Sequence, residues 1–386
     1  MKWVKYPAIN PFMTLKLPQP GWIRRILALI SSIFVSTAAW AAPSPAVLDG
    51  THAGVRAAMG LQREATADLM KSPEVLGTAI GLDESGAPAL VIYFDRDATS
   101  VASLVRSLPP RLRGIAMRSE LTDKFVAYPR TRPGGGGVSH TALQPFPIQL
   151  GTSGGWRHDL ANGFCCGGTL GSLVQVNGVK YIMSNYHVFE SDIVSGGNNM
   201  VAMTGSFVVQ PGLIDVNCDA NGAQNVGTLM KLSSLPDSNV DVSVAQANAG
   251  AVAADGSILE IGPLSTQIEA AFLRQNVKKS GRTSGLTRSR ISGLNATISV
   301  TYENECAGGT AFTKTFSGQI VIANNGNKFL RSGHSGSLMV EDVATNPRAV
   351  GLLYAGSSTS AIANPINEVL QFLGTKLGGT ATMVGN

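Results

Sequence analysis

Three separated segments carry residue types that together could cleave an acyl bond. The first, Tyr181-Ile182-Met183-Ser184-Asn185-Tyr186-His187-Val188, sets an imidazole just past an apolar run. A rigid sheet can present such a ring, although a lone histidine there is equally a hydrogen-bonded structural residue. The second, Asn239-Val240-Asp241-Val242-Ser243-Val244-Ala245, places a carboxylate inside an apolar run read as a strand. Burying a carboxylate is costly unless it is paired or well hydrogen-bonded. An arginine or main-chain amides would satisfy it, and so would a histidine that it orients. The third, Gly333-His334-Ser335-Gly336-Ser337-Leu338, holds a serine between glycines ahead of another apolar run. Glycine permits backbone conformations that aim successive N–H groups at one point. That point stabilises the oxyanion formed when a serine Oγ attacks a carbonyl, while a plain serine/glycine turn is the bland alternative. His187, Asp241 and Ser335 together offer the residue types that a base, an orienting acid and a nucleophile of covalent acyl transfer need.

Elements must hold these groups in place. The chain has 386 residues, with 44 glycines and only 14% charged residues. That balance favours many turns and short strands and excludes a coiled coil. From Pro145 to Asn386 short runs rich in Val, Ile, Leu and Thr alternate with Gly/Asn/Ser turns. They are Thr169–Val176, Lys180–Ser184, Phe207–Gln210, Val240–Ala245, Ala296–Tyr302, Phe316–Ala323, Ser337–Glu341 and Ala349–Tyr354. The spacing predicts a barrel or sandwich. Pro365 after Asn364 opens a closing helix, with Ile366, Val369, Leu370 and Leu373 on one face. Residues 42–130 read instead as a small α/β domain. Its predicted order is a helix Ala53–Met70, strands Val75–Leu82 and Ala89–Tyr93, a helix Thr99–Ser107 and a strand Gly114–Glu120. Between the two domains, residues 131–144 form a linker that contains Gly134-Gly135-Gly136-Gly137, with arginines beside it as a candidate cut site.

The net charge of +5 resides entirely in residues 1–41, which hold Lys2, Lys5, Lys16, Arg24 and Arg25 and no acid. The remainder is formally neutral, so no basic nucleic-acid face is expected. Arg24-Arg25, the apolar run Ile26–Val35 and Ala39-Trp40-Ala41 read as a signal peptide over residues 1–41. The protein is therefore expected to be secreted or periplasmic and not membrane-bound after signal removal. Export makes the four cysteines disulfide candidates. Neighbours Cys165 and Cys166 do not suit one another, which leaves one for Cys218 and the other for Cys306, in an order left open. No spacing calls for a metal, and nothing requires a cofactor.

The three segments, in the order His, Asp, Ser, make residues 145–386 resemble a chymotrypsin/trypsin-like serine peptidase of the secreted bacterial type. Lys279-Ser280-Gly281-Arg282-Thr283-Ser284-Gly285-Leu286-Thr287 resembles the K-x-G-R-T-x-G-x-T hairpin of its second barrel. The resemblance implies a mainly β, two-barrel protease domain with a C-terminal helix, here preceded by the small α/β domain. It implies a polypeptide substrate and a catalytic triad of His187, Asp241 and Ser335, with the N–H groups of Gly333 and Ser335 as oxyanion hole. Tyr354, Ala355 and Gly356 fall in the strand that pairs with substrate backbone, and Phe329 falls near the base of the primary pocket. One departure is visible: the family usually has Asp before the nucleophile, and in many members this Asp receives a freed N-terminus. His334 cannot do that and is expected to hydrogen-bond locally. It also motivates an alternative, a catalytically silent protease fold kept for binding. An intramolecular contact with the N-terminal domain is a further expectation.

Overall fold

Apolar runs rich in β-branched residues become strands along most of the chain, as their fit to a pleated, half-buried surface favours. The structure, a computed structural model, describes residues 46–127, 139–161, 164–190, 200–303 and 311–386. The expected signal peptide (1–41), most of the linker and Cys306 lie outside the described residues.

The chain opens with α1 (Ala53–Leu69), β1 (Val75–Leu82), β2 (Pro88–Asp95), α2 (Val101–Ser107), β3 (Arg111–Leu112), β4 (Ile115–Thr122) and β5 (Phe125–Ala127). α1 buries Val55, Ala58 and Leu61, which recur at helical spacing and so share one face. β1 and β2 form an antiparallel hairpin with Ile80 opposite Leu90, and β4 adds to β2 in parallel.

Next come β6 (Thr152–Trp156), β7 (Leu160–Ala161), β8 (Phe164–Cys165), β9 (Gly168–Leu170), β10 (Ser172–Val176), β11 (Val179–Ser184), the one-turn α3 (Tyr186–Phe189), β12 (Phe207–Gln210), β13 (Gln224–Met230) and β14 (Ser243–Ala247). Their sheet runs β10-β11-β14-β13-β12-β6-β9. Because β9 and β10 are one run bent at Gly171, that order returns to its start and closes a six-stranded barrel. Its core includes Trp156, Leu173, Ile182, Val208 and Val244.

The last elements are β15 (Asn276–Lys279), β16 (Thr287–Tyr302), β17 (Phe312–Ala323), β18 (Leu338–Glu341), β19 (Ala349–Gly356), β20 (Ser360–Pro365), α4 (Ile366–Leu377) and β21 (Ala381–Met383). Here the order is β15-β18-β19-β20-β17-β16, and β15 also pairs with β16, so a second six-stranded barrel closes. The fold is thus mainly β, with two barrels and a closing helix. α4 buries Ile366, Val369, Leu370 and Leu373 and ends at Gly378 with φ of 71°.

The N-terminal strands extend the second barrel's sheet. β1 pairs antiparallel with β16, so the sheet continues outward as β16-β1-β2-β4-β3. β5 lies elsewhere: it pairs in parallel with the end of β16 and meets β19 at Gly356.

Candidate active site

β11 ends at Ser184, and Asn185 begins the α3 turn that carries His187 to the barrel edge. Asp241 stands two residues before β14 rather than inside a strand, which corrects the expected start at Val240. Side-chain amides have taken its main chain out of the ladder. Its N–H donates to Asn364 Oδ1 at 2.9 Å, and its C=O accepts from Asn185 Nδ2 at 2.7 Å. The carboxylate is fully buried. Oδ1 accepts the Tyr186 N–H at 2.7 Å, and Oδ2 accepts His187 Nδ1–H at 2.7 Å and the Tyr302 hydroxyl at 2.8 Å. Three donors offset the desolvation of the buried charge. The Nδ1 bond selects the imidazole tautomer whose Nε2 is the basic atom.

The serine turn comes from the other barrel. Gly333 and Gly336 both have φ of 88°, in the left-handed region that favours glycine. Ser335 is 4% exposed, and its C=O accepts the Thr169 N–H at 2.8 Å. A Cβ on Gly168 would lie 2.9 Å from Ser335 O and 2.7 Å from Val188 Cγ2. One glycine's width therefore separates the serine backbone from the residue after His187. Likewise a Cβ on Gly171 would sit 2.1 Å from Gly336 O. Within the turn, the N–H groups of His334, Gly336 and Ser337 donate to the carbonyls of Arg331, Leu353 and His334.

The Lys279–Gly285 hairpin motif holds this turn. Thr283 Oγ1 donates to Ser332 O at 2.7 Å. Arg282 forms a buried two-pronged pair with Asp215 of the first barrel: Nε to Oδ2 and Nη2 to Oδ1, each at 2.6 Å. Lys279 Nζ, fully buried, reaches Gly285 O, Ser284 Oγ and His334 Nε2 at 3.1–3.2 Å. His334 meets the expectation of local bonding. Its Nδ1 accepts the Arg331 N–H at 2.9 Å, and Nε2 lies 3.0 Å from Ser284 Oγ. Nε2 also faces the Ser284 N–H, which donates to it at 2.9 Å. Burial, then the positive charges of Lys279, Arg282 and Arg331, hold this imidazole well below the ordinary histidine range. Burial likewise pushes Lys279 well down.

Tyr354, Ala355 and Gly356 are buried in β19, with Gly356 opposite Val126 of β5. Phe329 is 1% exposed and packs in the core with Leu330, Val277 and Leu353. Cys165 is bonded to Cys218, and Cys166 is also disulfide-bonded. Among the described residues, no three His, Cys, Asp or Glu side chains converge as a metal site would require.

Tyr302 carried no signal in the sequence. It comes from the second barrel, and only the pairing of β16 with β17 and β5 brings its hydroxyl to Asp241. The roles of Asn185 and Asn364 were equally hidden. The hairpin motif did signal Lys279 and Arg282, though not what they touch.

A family model, the Nal1 C-terminal domain, matches residues 224–364. That stretch holds Asp241 and Ser335 and begins after His187. No curated protein matches the sequence. Among solved structures, the chain is similar to a glutamic-acid-specific serine protease that uses a histidine triad in substrate binding. The identity is 16% over 61% of this chain and 100% of that one, with a TM-score of 0.38. It is also similar to protease A of Thermobifida fusca, at 17% identity over 57% of this chain and 92% of that one, TM-score 0.37. Cellulomonas bogoriensis chymotrypsin shares 22% identity over 56% and 91%, TM-score 0.34.

Proposed function

We propose that this protein is a secreted serine endopeptidase that works through an acyl-enzyme. The buried His187–Asp241 pair at 2.7 Å carries the reading, because it stands on one barrel beside a glycine-flanked serine turn from the other. Ser335 Oγ attacks the scissile carbonyl. His187 takes its proton and returns it to the leaving amine, while Asp241 holds the tautomer and stabilises the imidazolium. The N–H groups of Gly333 and Ser335 take the oxyanion, and each such donor is worth about 2.7–4 kcal/mol in the transition state. The disulfide between Cys165 and Cys218 is in keeping with an exported protein.

We further propose that the N-terminal segment inhibits the site until it is released. β5 supports this, since Val126 pairs antiparallel with Gly356, in the strand assigned to substrate backbone. The same occupancy also favours the second reading, a silent protease fold that binds without cleaving. A fluorophosphonate probe on the exported full chain, before and after limited cutting at the linker arginines, separates the two. Labelling of the cut chain and none of Ser335→Ala is expected. Unlabelled Ser335 in both forms would leave the silent reading.

A further inference from the structure

We infer that Tyr302 is a positioning residue for the His187–Asp241 pair, gripping the acid from the opposite barrel through its hydroxyl. The inference rests on the reading of that pair as base and orienting acid, and it concerns a residue outside all three motifs. Asp241 Oδ1 is pinned by one amide, that of Tyr186, which alone leaves the carboxylate able to turn about that point. The Tyr302 hydroxyl, 2.8 Å from Oδ2, supplies the second fixed point. Its own place is tightly set. The Tyr302 main chain lies between Phe312 of β17 and Ala127 of β5. Its ring stacks on Phe312 at 4.8 Å with planes 7° apart, and meets the His187 ring edge-on at 5.8 Å. A donor locked by packing on a rigid strand sets the geometry of its acceptor, as a loop donor does not.

The hydroxyl also acts electrically. It shares Oδ2 with His187, so it draws part of the carboxylate charge away from the Nδ1–H bond. The groups facing it are Asp241, Tyr354 and Tyr186, with Glu368 acting on Tyr354 from α4. Burial and the Asp241 charge push the phenol well up, so it stays a donor wherever the histidine titrates. Removing the hydroxyl returns charge to the histidine bond and favours the imidazolium. A stronger donor does the reverse.

The test reads the His187 Nδ1 proton by NMR against pH in the full chain with labelled histidine. Tyr302→Phe keeps the ring and its stack. It is expected to move the pH midpoint of that signal upward by about half a unit to one unit. 3-Fluorotyrosine installed at 302 alone, a more acidic donor, is expected to move it downward. Opposite signs are something a packing role does not produce. An unmoved midpoint in both chains, or shifts of the same sign, would overturn the inference. Should Tyr302→Phe lose its circular-dichroism melt, the sign from the fluorotyrosine chain decides. Failure of the peptidase reading is seen separately, as Ser335 that never labels while these shifts still occur.

Discussion

Arg282 and Asp215 tie together the two barrels, one carrying His187 and Asp241 and the other Ser335. Replacing Arg282 by Met removes a guanidinium whose side chain is 2% exposed and leaves the Asp215 carboxylate, 4% exposed, without its charged partner. Breaking a buried pair from one side costs about 3–5 kcal/mol, because the surviving charge is uncompensated. Asp215 keeps one donor, the Ser153 hydroxyl at 2.5 Å, which argues for the lower half of that range. Asp215→Leu takes the charged partner from the guanidinium and the acceptor from the Ser153 hydroxyl proton, so its cost should be of similar size. The double variant leaves neither charge buried. What then remains is the Ser153 hydroxyl proton without its acceptor, at about 1–3 kcal/mol, while its oxygen still accepts the Gly212 N–H at 3.0 Å. The double variant should therefore be more stable than either single one, with a coupling energy of a few kcal/mol. Urea unfolding of the four chains measures this directly, with the slope checked for constancy. Costs that simply add would refute the view that the pair acts as a unit. The same four chains should differ in fluorophosphonate labelling in the same order, because Thr283 beside Arg282 bonds Ser332 at the head of the serine turn.

Two other perturbations probe the serine turn. His334 is held neutral in the fold, whereas in the unfolded chain its ring titrates near 6.5. Its contribution is therefore full above about pH 6.5 and is lost as pH falls toward the lower folded value. Protonation leaves both ring nitrogens as donors facing the N–H groups of Arg331 and Ser284 and adds a charge beside Lys279. The stability difference between wild type and His334→Asn should accordingly shrink between pH 7 and 5. A difference constant over that window would count against the neutral imidazole. Gly171→Ala forces a Cβ toward Gly336 O, where the backbone has no room. It should cost about 1–3 kcal/mol by overpacking and slow Ser335 labelling, both measurable on one preparation. Unchanged labelling would mean that the turn does not rest on the bend between β9 and β10.

Much of this was legible from residue pattern because strands write themselves in apolar runs. Val75–Leu82 and Phe207–Gln210 appear with the expected ends, and the closing helix starts one residue after Pro365. The edges that moved are those where side chains replaced ladder bonds, as at Asp241, or where register is non-local. β16 begins nine residues before the expected Ala296, because pairing with β15 at Thr287–Arg290 extends it through polar residues that carry no strand signal. The sharing of one sheet by β1 and β16 was equally invisible, since neither run states its partner.

The site itself divides along the same line. His187, Asp241 and Ser335 stand out as candidates because each breaks its local rule: an imidazole beside an apolar run, a carboxylate within one, a hydroxyl between two glycines. The groups that aim them break no rule. Tyr302 is an ordinary aromatic at a strand end, and Lys279 an ordinary cation in a hairpin. Lys279 also explains why a histidine serves at 334. An aspartate there would form a buried ion pair with Lys279, whereas the neutral ring sits between the Arg331 N–H at Nδ1 and the Ser284 N–H and hydroxyl at Nε2 with no second charge to desolvate. The lysine is then satisfied by Gly285 O and Ser284 Oγ of its own hairpin. The turn is consequently held by neutral hydrogen bonds, from the second barrel and from Thr169 of the first, and a freed N-terminus would find no carboxylate at residue 334 to meet. The inhibition proposed above needs no such carboxylate, because it rests on β5 pairing with Gly356.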